Sequence, residues 1–434
     1  MAKNYKNIYE AGADSSAIDQ RFYLRVETEK GEFATPQDGD FFYHMGGTIN
    51  HEQPFEASKQ KSGRHNVTTI RKKETSSWTL STYINQNDQN GVDEAIKTLL
   101  LSLLGNRTGD PVEAYDSSVA PNVSFSLLEV SDLWSRQSPG SFVQGATFKF
   151  PGDGESMIEW SGSSKTTQFA GIGKIQSVDG SNLVLEDGDV EQFTRGALVM
   201  LIKEDGVTRA SDTPGGASRI IEDIDISQNR VRLSSDPIAD AVPGDYLVYY
   251  EPERPVASTR AVIGLTGEFR IRGTVLPIRN FEVSVQNNHE LHDYYYGTAS
   301  LGPRLYSASK RLMIEPTVQV NVDKNVISMI SSAKRFEQQN YQIRLGGEGE
   351  TNLLIDLPKV QIKVPSFSVP DEGSIPIDFQ GTALATSEDE ADEIKISIIK
   401  PGESLARRLT RNAPPKTLKP KSSINTETFK EIAN

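Results

Sequence analysis

GTINHEQPFEASKQ (Gly47–Gln60) and GTVLPIRNFEVSVQ (Gly273–Gln286) align without a gap at an offset of 226, with identities at Gly47/Gly273, Thr48/Thr274, Phe55/Phe281, Glu56/Glu282, Ser58/Ser284 and Gln60/Gln286. A self-match at long range is a sign of repeated architecture, so it outranks any local reading. A second match lies further along, between TFKFPGDGESMIEWSGSS (Thr147–Ser164) and SFSVPDEGSIPIDFQGTA (Ser366–Ala383). At an offset of 219 it pairs Phe148/Phe367, Pro151/Pro370, Gly154/Gly373, Ile158/Ile377 and Gly162/Gly381. Both segments read as strand, Pro/Gly turn, strand, with apolar residues at every second position.

Between these matches each half has one helical stripe. Ile96, Leu99, Leu100, Leu103 and Leu104 fall at i, i+3, i+4, i+7 and i+8, with Asp93 placed as N-cap and Gly105 as the terminating residue. Val326, Met329, Ile330 and Ala333 repeat the stripe at an offset of 230, after Asp323. Three matches in the same order imply a β-β-α-β-β unit present twice, over residues 35–166 and 256–401. Strands such as WTLSTYI (Trp78–Ile84) and PTVQVNV (Pro316–Val322) alternate apolar and polar residues, which implies antiparallel sheet with one dry face.

Residues 167–255 interrupt the two units and repeat within themselves. KIQSVDGSNLVLED (from Lys174) resembles DIDISQNRVRLSSD (from Asp223), with Val178/Ile226, Leu183/Val231 and Leu185/Leu233 paired at an offset of 48, each a hairpin followed by a Gly-led strand at Gly196 or Gly244. Short strands at this density imply a small antiparallel β-barrel. The fold class expected is mainly β with α (α+β): two tandem sandwich- or barrel-forming modules, each with one helix, and a barrel insert on the outside. Residues 1–34 remain as an N-terminal arm and 402–434 as a basic C-terminal arm.

Composition narrows the function. The 434 residues include no cysteine, which excludes disulfides, cysteine zinc sites and cysteine nucleophiles. The opening MAKNYKNIYEAGADSS has no apolar core of a secretory signal, and no run approaches a membrane span, so synthesis in a cytoplasm is expected. The net charge of −13 argues against gripping nucleic acid. It is uneven: residues 402–434 hold seven basic and three acidic residues, a net of +4, which leaves −17 elsewhere.

Motifs for catalysis are missing. GIGK (Gly171–Lys174) and GGEGET (Gly346–Thr351) lack P-loop spacing and read as strand entry and turn. His289 and His292 lack HEXXH spacing and read as solvated loop residues; the acidic SEDEADE (Ser387–Glu393) reads as a loop before the strand EIKISII. DYYY (Asp293–Tyr296) has no basic neighbours within it and reads as a packing or subunit contact rather than a base-stacking platform. No enzyme, cofactor or metal is expected.

The unit with one central amphipathic helix, the closing hairpin KVQIKVPSFSVPDEGSIPIDFQGTALA (Lys359–Ala385) and the segment KKETSSWTLSTYI (Lys72–Ile84) together resemble the major tail tube proteins of tailed bacteriophages. The resemblance covers both units but not the insert, which departs from the family pattern. It implies rings of six tube modules, here three chains with pseudo-sixfold symmetry, whose inner strands close one barrel around a channel. The implied partners are further copies of the chain in stacked rings, tape measure and tail terminator or tip proteins, and viral DNA passing through without specific binding, with no membrane. The implied place is the virion, after synthesis in the host cytoplasm. Phe55, Glu56 and Ser58, with Phe281, Glu282 and Ser284, are then the candidate inner-sheet or interface residues, the phenylalanines toward the core and the glutamates toward the lumen or a sheet edge. Competing expectations are a tandem β-domain carbohydrate-binding or adhesion protein, a tube subunit of a tailocin or secretion-like device, and a hydrolase within the insert. The first of these predicts a monomer with exposed aromatic clefts, where a tube subunit predicts concentration-dependent rings.

Overall fold

Alternation along the strands decides the architecture, because a strand with one apolar face must lay that face on a partner layer. The structure, a computed structural model, describes residues 3–11, 17–58, 68–87, 91–109, 112–117, 123–210, 219–234, 241–252, 260–261, 267–292, 296, 306–307, 311–346, 351–366, 369, 371–387 and 390–400. The basic C-terminal arm, GGEGET at 347–350 and DYYY at 293–295 therefore lie outside the described residues, as do Phe367 and Pro370 of the second match.

In chain order the first part contains helix α1 (Tyr5–Ala11), strands β1 (Arg21–Val26) and β2 (Gly46–Glu52), a small hairpin of β3 (Phe55–Ala57) and β4 (Thr69–Arg71), and β5 (Thr75–Tyr83). Helix α2 (Glu94–Leu104) then leads to β6 (Glu113–Ser117), β7 (Phe125–Val130), β8 (Ser135–Pro151), β9 (Met157–Ser164) and β10 (Gln168–Ala170). Next come six strands: β11 (Ile172–Asp179), β12 (Asn182–Leu185), β13 (Leu198–Ile202), β14 (Arg219–Asp225), β15 (Arg230–Leu233) and β16 (Tyr246–Tyr249). The last part has β17 (Glu268–Ile271), β18 (Asn280–Gln286), β19 (Met313–Asn321), α3 (Lys324–Lys334), β20 (Gln338–Leu345), β21 (Asn352–Ile362), β22 (Pro376–Ala383) and β23 (Lys395–Ile399).

The protein is mainly β, with a small closed antiparallel barrel in the order β11-β12-β15-β14-β13-β16. Outside the barrel, one central sheet runs β2-β5-β9-β8-β18-β19-β22, all antiparallel. Two further ladders pack behind it. One runs β1-β7-β8-β10 and uses the first half of the seventeen-residue β8. The other runs β17-β20-β21-β23-β6. A single apolar core joins all three, from Phe22 and Trp78 through Phe148 and Phe281 to Ile396 and Ile398.

The helices follow their stripes. Ile96, Leu99, Leu100, Leu103 and Leu104 are all buried in the core. Gly105 ends α2 with φ 88°, a left-handed conformation that favours glycine, and its N–H bonds Leu101 O. Asp323 caps α3 by accepting from Val326 N, whereas Asp93 makes no such bond at α2.

Four sequence expectations need correction. FEASKQ and FEVSVQ do not share a position: Phe281 lies on β18 within the central sheet and is 1% exposed, but Phe55 lies on the β3–β4 hairpin and is 73% exposed. Letter identity at offset 226 did not track hydrogen-bond register. The segment 1–34 is not only an arm, since β1 pairs along its whole length with β7. The insert does not stand apart either. Gln168–Ala170 pair with Ser135–Gln137, and the barrel core is continuous with Tyr5, Tyr23, Leu128 and Val130. The fully buried Gln137 side chain completes the join, donating to Leu198 O (2.8 Å) and accepting from Leu198 N (2.6 Å). Finally, His289 and His292 are buried rather than solvated, and His289 stacks near Phe142.

Candidate functional site: the face and edges of the central sheet

Every strand of the central sheet turns an apolar side inward. On β18 Phe281, Val283 and Val285 are buried while Asn280, Glu282 and Gln286 are exposed; on β22 Ile377 and Phe379 are buried while Asp378 and Gln380 are exposed. The outward face is therefore a wide polar surface of Thr, Ser, Asn and Gln. Its charged members are Glu52, Glu159, Glu282, Glu315 and Asp378 against one cation, Lys149, a net of −4. Lys149 bonds Glu159 at 2.6 Å and lies opposite Glu282 in the register.

Three of the sequence-selected residues, Phe281, Glu282 and Ser284, lie together on β18. Phe55 and Glu56 sit on the exposed hairpin, where Glu56 pairs with Lys72, and Ser58 continues it with an N–H bond to Thr68 O. The feature that sequence reading missed is the seam between β8 and β18, where strands from distant parts of the chain pair from Gly145↔Gln286 to Pro151↔Asn280. Phe150 and Phe281 stack on its dry side, and Phe269 packs on Phe281 at 5.3 Å. A second seam joins β6 to β23. No local signal announces either seam, because the partners are more than a hundred residues apart.

One side of the sheet ends at β2, which among the described strands pairs only with β5. Its carbonyls are covered by side chains instead. Gln20 Nε2 donates to Gly47 O at 3.0 Å, and the Arg136 guanidinium donates to Ile49 O. Both donors are anchored on the buried carboxylate of Glu129, Gln20 at 2.6 Å and Arg136 at 2.7 Å, and Arg136 also lies over the Trp134 ring.

Beside this edge runs an open groove of about 790 Å³ lined by Lys3, Asp19, Gln20, Arg21, His44 and Asp132, among others. A hydrogen bond shared with Asp132 pushes the Asp19 carboxyl above its ordinary range, and burial holds His44 below its own. Lys3 reaches both Asp132 and Glu251 at 3.2 Å, tying the N-terminal segment to the barrel. Among the described residues no three His, Asp or Glu side chains meet to hold a metal, and no helix is long and apolar enough to cross a membrane.

The sequence matches no protein-family model and no curated protein.

Proposed function

We propose that this chain is the structural subunit of a tail tube, that its two halves are copies of one tube module, and that three chains close a pseudo-sixfold ring around a channel. The observation that carries this reading is the order of the ladders. The first half pairs β1-β7-β8-β10 and β2-β5-β9-β8; the last part pairs β17-β20-β21-β23 and β18-β19-β22-β21. The order is the same, strand for strand. Helices of eleven residues, α2 and α3, occupy the same place in it.

Two modules already joined edge to edge form one third of a six-module barrel. An isolated chain leaves sheet edges that closure would satisfy. The acidic, hydroxyl- and amide-rich outward face suits a lumen through which DNA slides without adhering. On this reading the chain is a virion protein rather than an enzyme, and its partners are other copies, the proteins at the tube ends, a tape measure and passing DNA. The exposed β3–β4 hairpin, with Phe55 and Ile70 both solvent-facing, is available for contacts between stacked rings.

Negative-stain microscopy across a concentration series, with mass measurement of single rings, tests the proposal. Rings or tubes with three chains per ring are expected. A strict monomer at high concentration, or a stable ring of six chains, overturns it.

A further inference from the structure

The seam inside the chain supplies a template for one between chains. Beyond Val143, which pairs with Gly162, β8 stays extended to Pro151 because β9 flanks it on one side and β18 on the other. In the last part of the chain Ile362 pairs with Gly381 in the corresponding place, and there β21 ends. Residues 363–366 keep, among the described residues, one neighbour only: Lys363 N donates to Gln380 O at 2.8 Å, and Lys363, Val364 and Ser366 are exposed and not strand. A strand with one neighbour has half the hydrogen bonds of one with two. At the opposite end of the sheet, β2 lacks among the described strands the neighbour that β18, its counterpart in the ladder order, finds in β8.

We infer that the outer edge of β2 docks residues 363–366 of a second copy of this chain, antiparallel and in the register of the β8–β18 seam. The inference rests on the tube-subunit reading and adds the register. Counterparts follow from the ladders: β18 is offset from β2 by 234 and β22 from β9 by 219. The pair Gly145↔Gln286 then maps to Val364 opposite Glu52, and Thr147↔Ser284 to Ser366 opposite Asn50. Docking supplies the missing neighbour, so 363–366 become strand when the partner arrives.

The docked stretch is short: beyond it Gln20 and Arg136 cover the Gly47 and Ile49 carbonyls of β2, and within it Pro365 brings no N–H.

The chain has no cysteine, which makes cross-linking unambiguous. Asn50→Cys and Ser366→Cys are made as separate full-length proteins, both at exposed positions where no packed atom is removed, and mixed under mild oxidation. Residues directly opposite on antiparallel strands have Cβ atoms ~5 Å apart, near the disulfide optimum, whereas diagonal neighbours are ~7–8 Å apart. Rapid disulfide formation between the two copies is expected, with Thr48→Cys plus Ser366→Cys several-fold slower. Rings that cross-link no faster at Asn50 than at Thr48 overturn the register while leaving the tube reading intact. Absence of both rings and cross-links overturns both.

Discussion

Phe150 and Phe281 stack across the β8–β18 seam with ring centroids 6.0 Å apart and planes 12° from parallel, although they lie far apart in sequence. With Phe269 on the other side, Phe281 is held between aromatic rings at the point where the two parts of the chain share a core. The seam is therefore a continuation of the hydrophobic core and not a docking of finished surfaces.

Truncation at the seam should then be felt by the whole fold. Phe281→Ala is expected to cost ~3–5 kcal/mol, the range for a buried phenylalanine whose cavity cannot fully collapse. Phe55→Ala, at a 73% exposed position, should change stability by less than about 0.5 kcal/mol. Urea denaturation of the two variants distinguishes them, and similar costs for both would contradict the placement of FEVSVQ and FEASKQ in different environments.

Glu27 provides a polar counterpart. Its buried carboxylate accepts from Gly31 N (2.7 Å), Gly140 N (2.6 Å), Ser124 Oγ (2.8 Å) and Ser126 Oγ (2.8 Å), so it clasps the turn after β1 to β7 and β8. Glu27→Gln turns one acceptor into a donor facing donors. A loss of about 2–3 kcal/mol is expected, since buried groups left unmatched forfeit their full desolvation cost. A thermal midpoint within a degree of the parent would show that the clasp contributes little.

Asp93 should make stability depend on pH in the opposite sense from a salt-bridged carboxylate. Burial, opposed by a hydrogen bond from Asn85 and aided by the Glu94 charge, pushes its carboxyl from 3.8 to about 6. A raised acid favours the protonated native state: the full stability is present below pH 4 and is lost as pH rises through about 6. Asp93→Asn keeps the size and shape of the side chain without the charge. It should match the parent at pH 4 and exceed it by about 1–2 kcal/mol at pH 8, after allowance for partial solvent screening. Chemical denaturation at the two pH values checks the sign, and a variant less stable than the parent at pH 8 would refute it.

What could be read from the sequence was local. The stripe from Ile96 to Leu104 and the stop at Gly105 gave α2, because helix burial and capping depend on residues within a turn or two. The hairpins around Gly180 and Asn229 gave the small barrel, because a positive φ at Gly180 (60°) or Asn229 (50°) is a requirement of the turn itself. Register was not local. Phe55 and Phe281 share neighbours in the string but not in the sheet, where partners are counted across ladders. The barrel's shared core escaped for the same reason: Tyr5 meets Tyr249, and Tyr9 meets Tyr246, across most of the preceding chain. Of the candidate site, the Phe281–Ser284 strand was legible by alternation, whereas the guarded β2 edge depends on Gln20, Glu129 and Arg136 converging from three separate segments.

The outward face of the central sheet gives a last prediction, about DNA. Duplex DNA carries one negative charge per ~1.7 Å of its axis, and a protein that neutralises those charges binds by releasing counterions. The net of −4 per chain on this face offers no such release, so the proposed rings of the unaltered protein should retain no duplex even at low salt. Replacing Glu52, Glu315 and Asp378 by Lys reverses three exposed charges and takes the face from −4 to +2 per chain. Glu159 and Glu282 are left in place because they lie beside Lys149, where a second cation would be repelled. Rings of the triple variant should hold duplex DNA at about 50 mM salt and release it steeply as salt rises, as counterion release requires. Measuring retention against salt for both proteins decides the matter. Firm, salt-sensitive binding by the unaltered rings would mean that basic residues elsewhere line the channel, and it would sink the assignment of this face to the lumen.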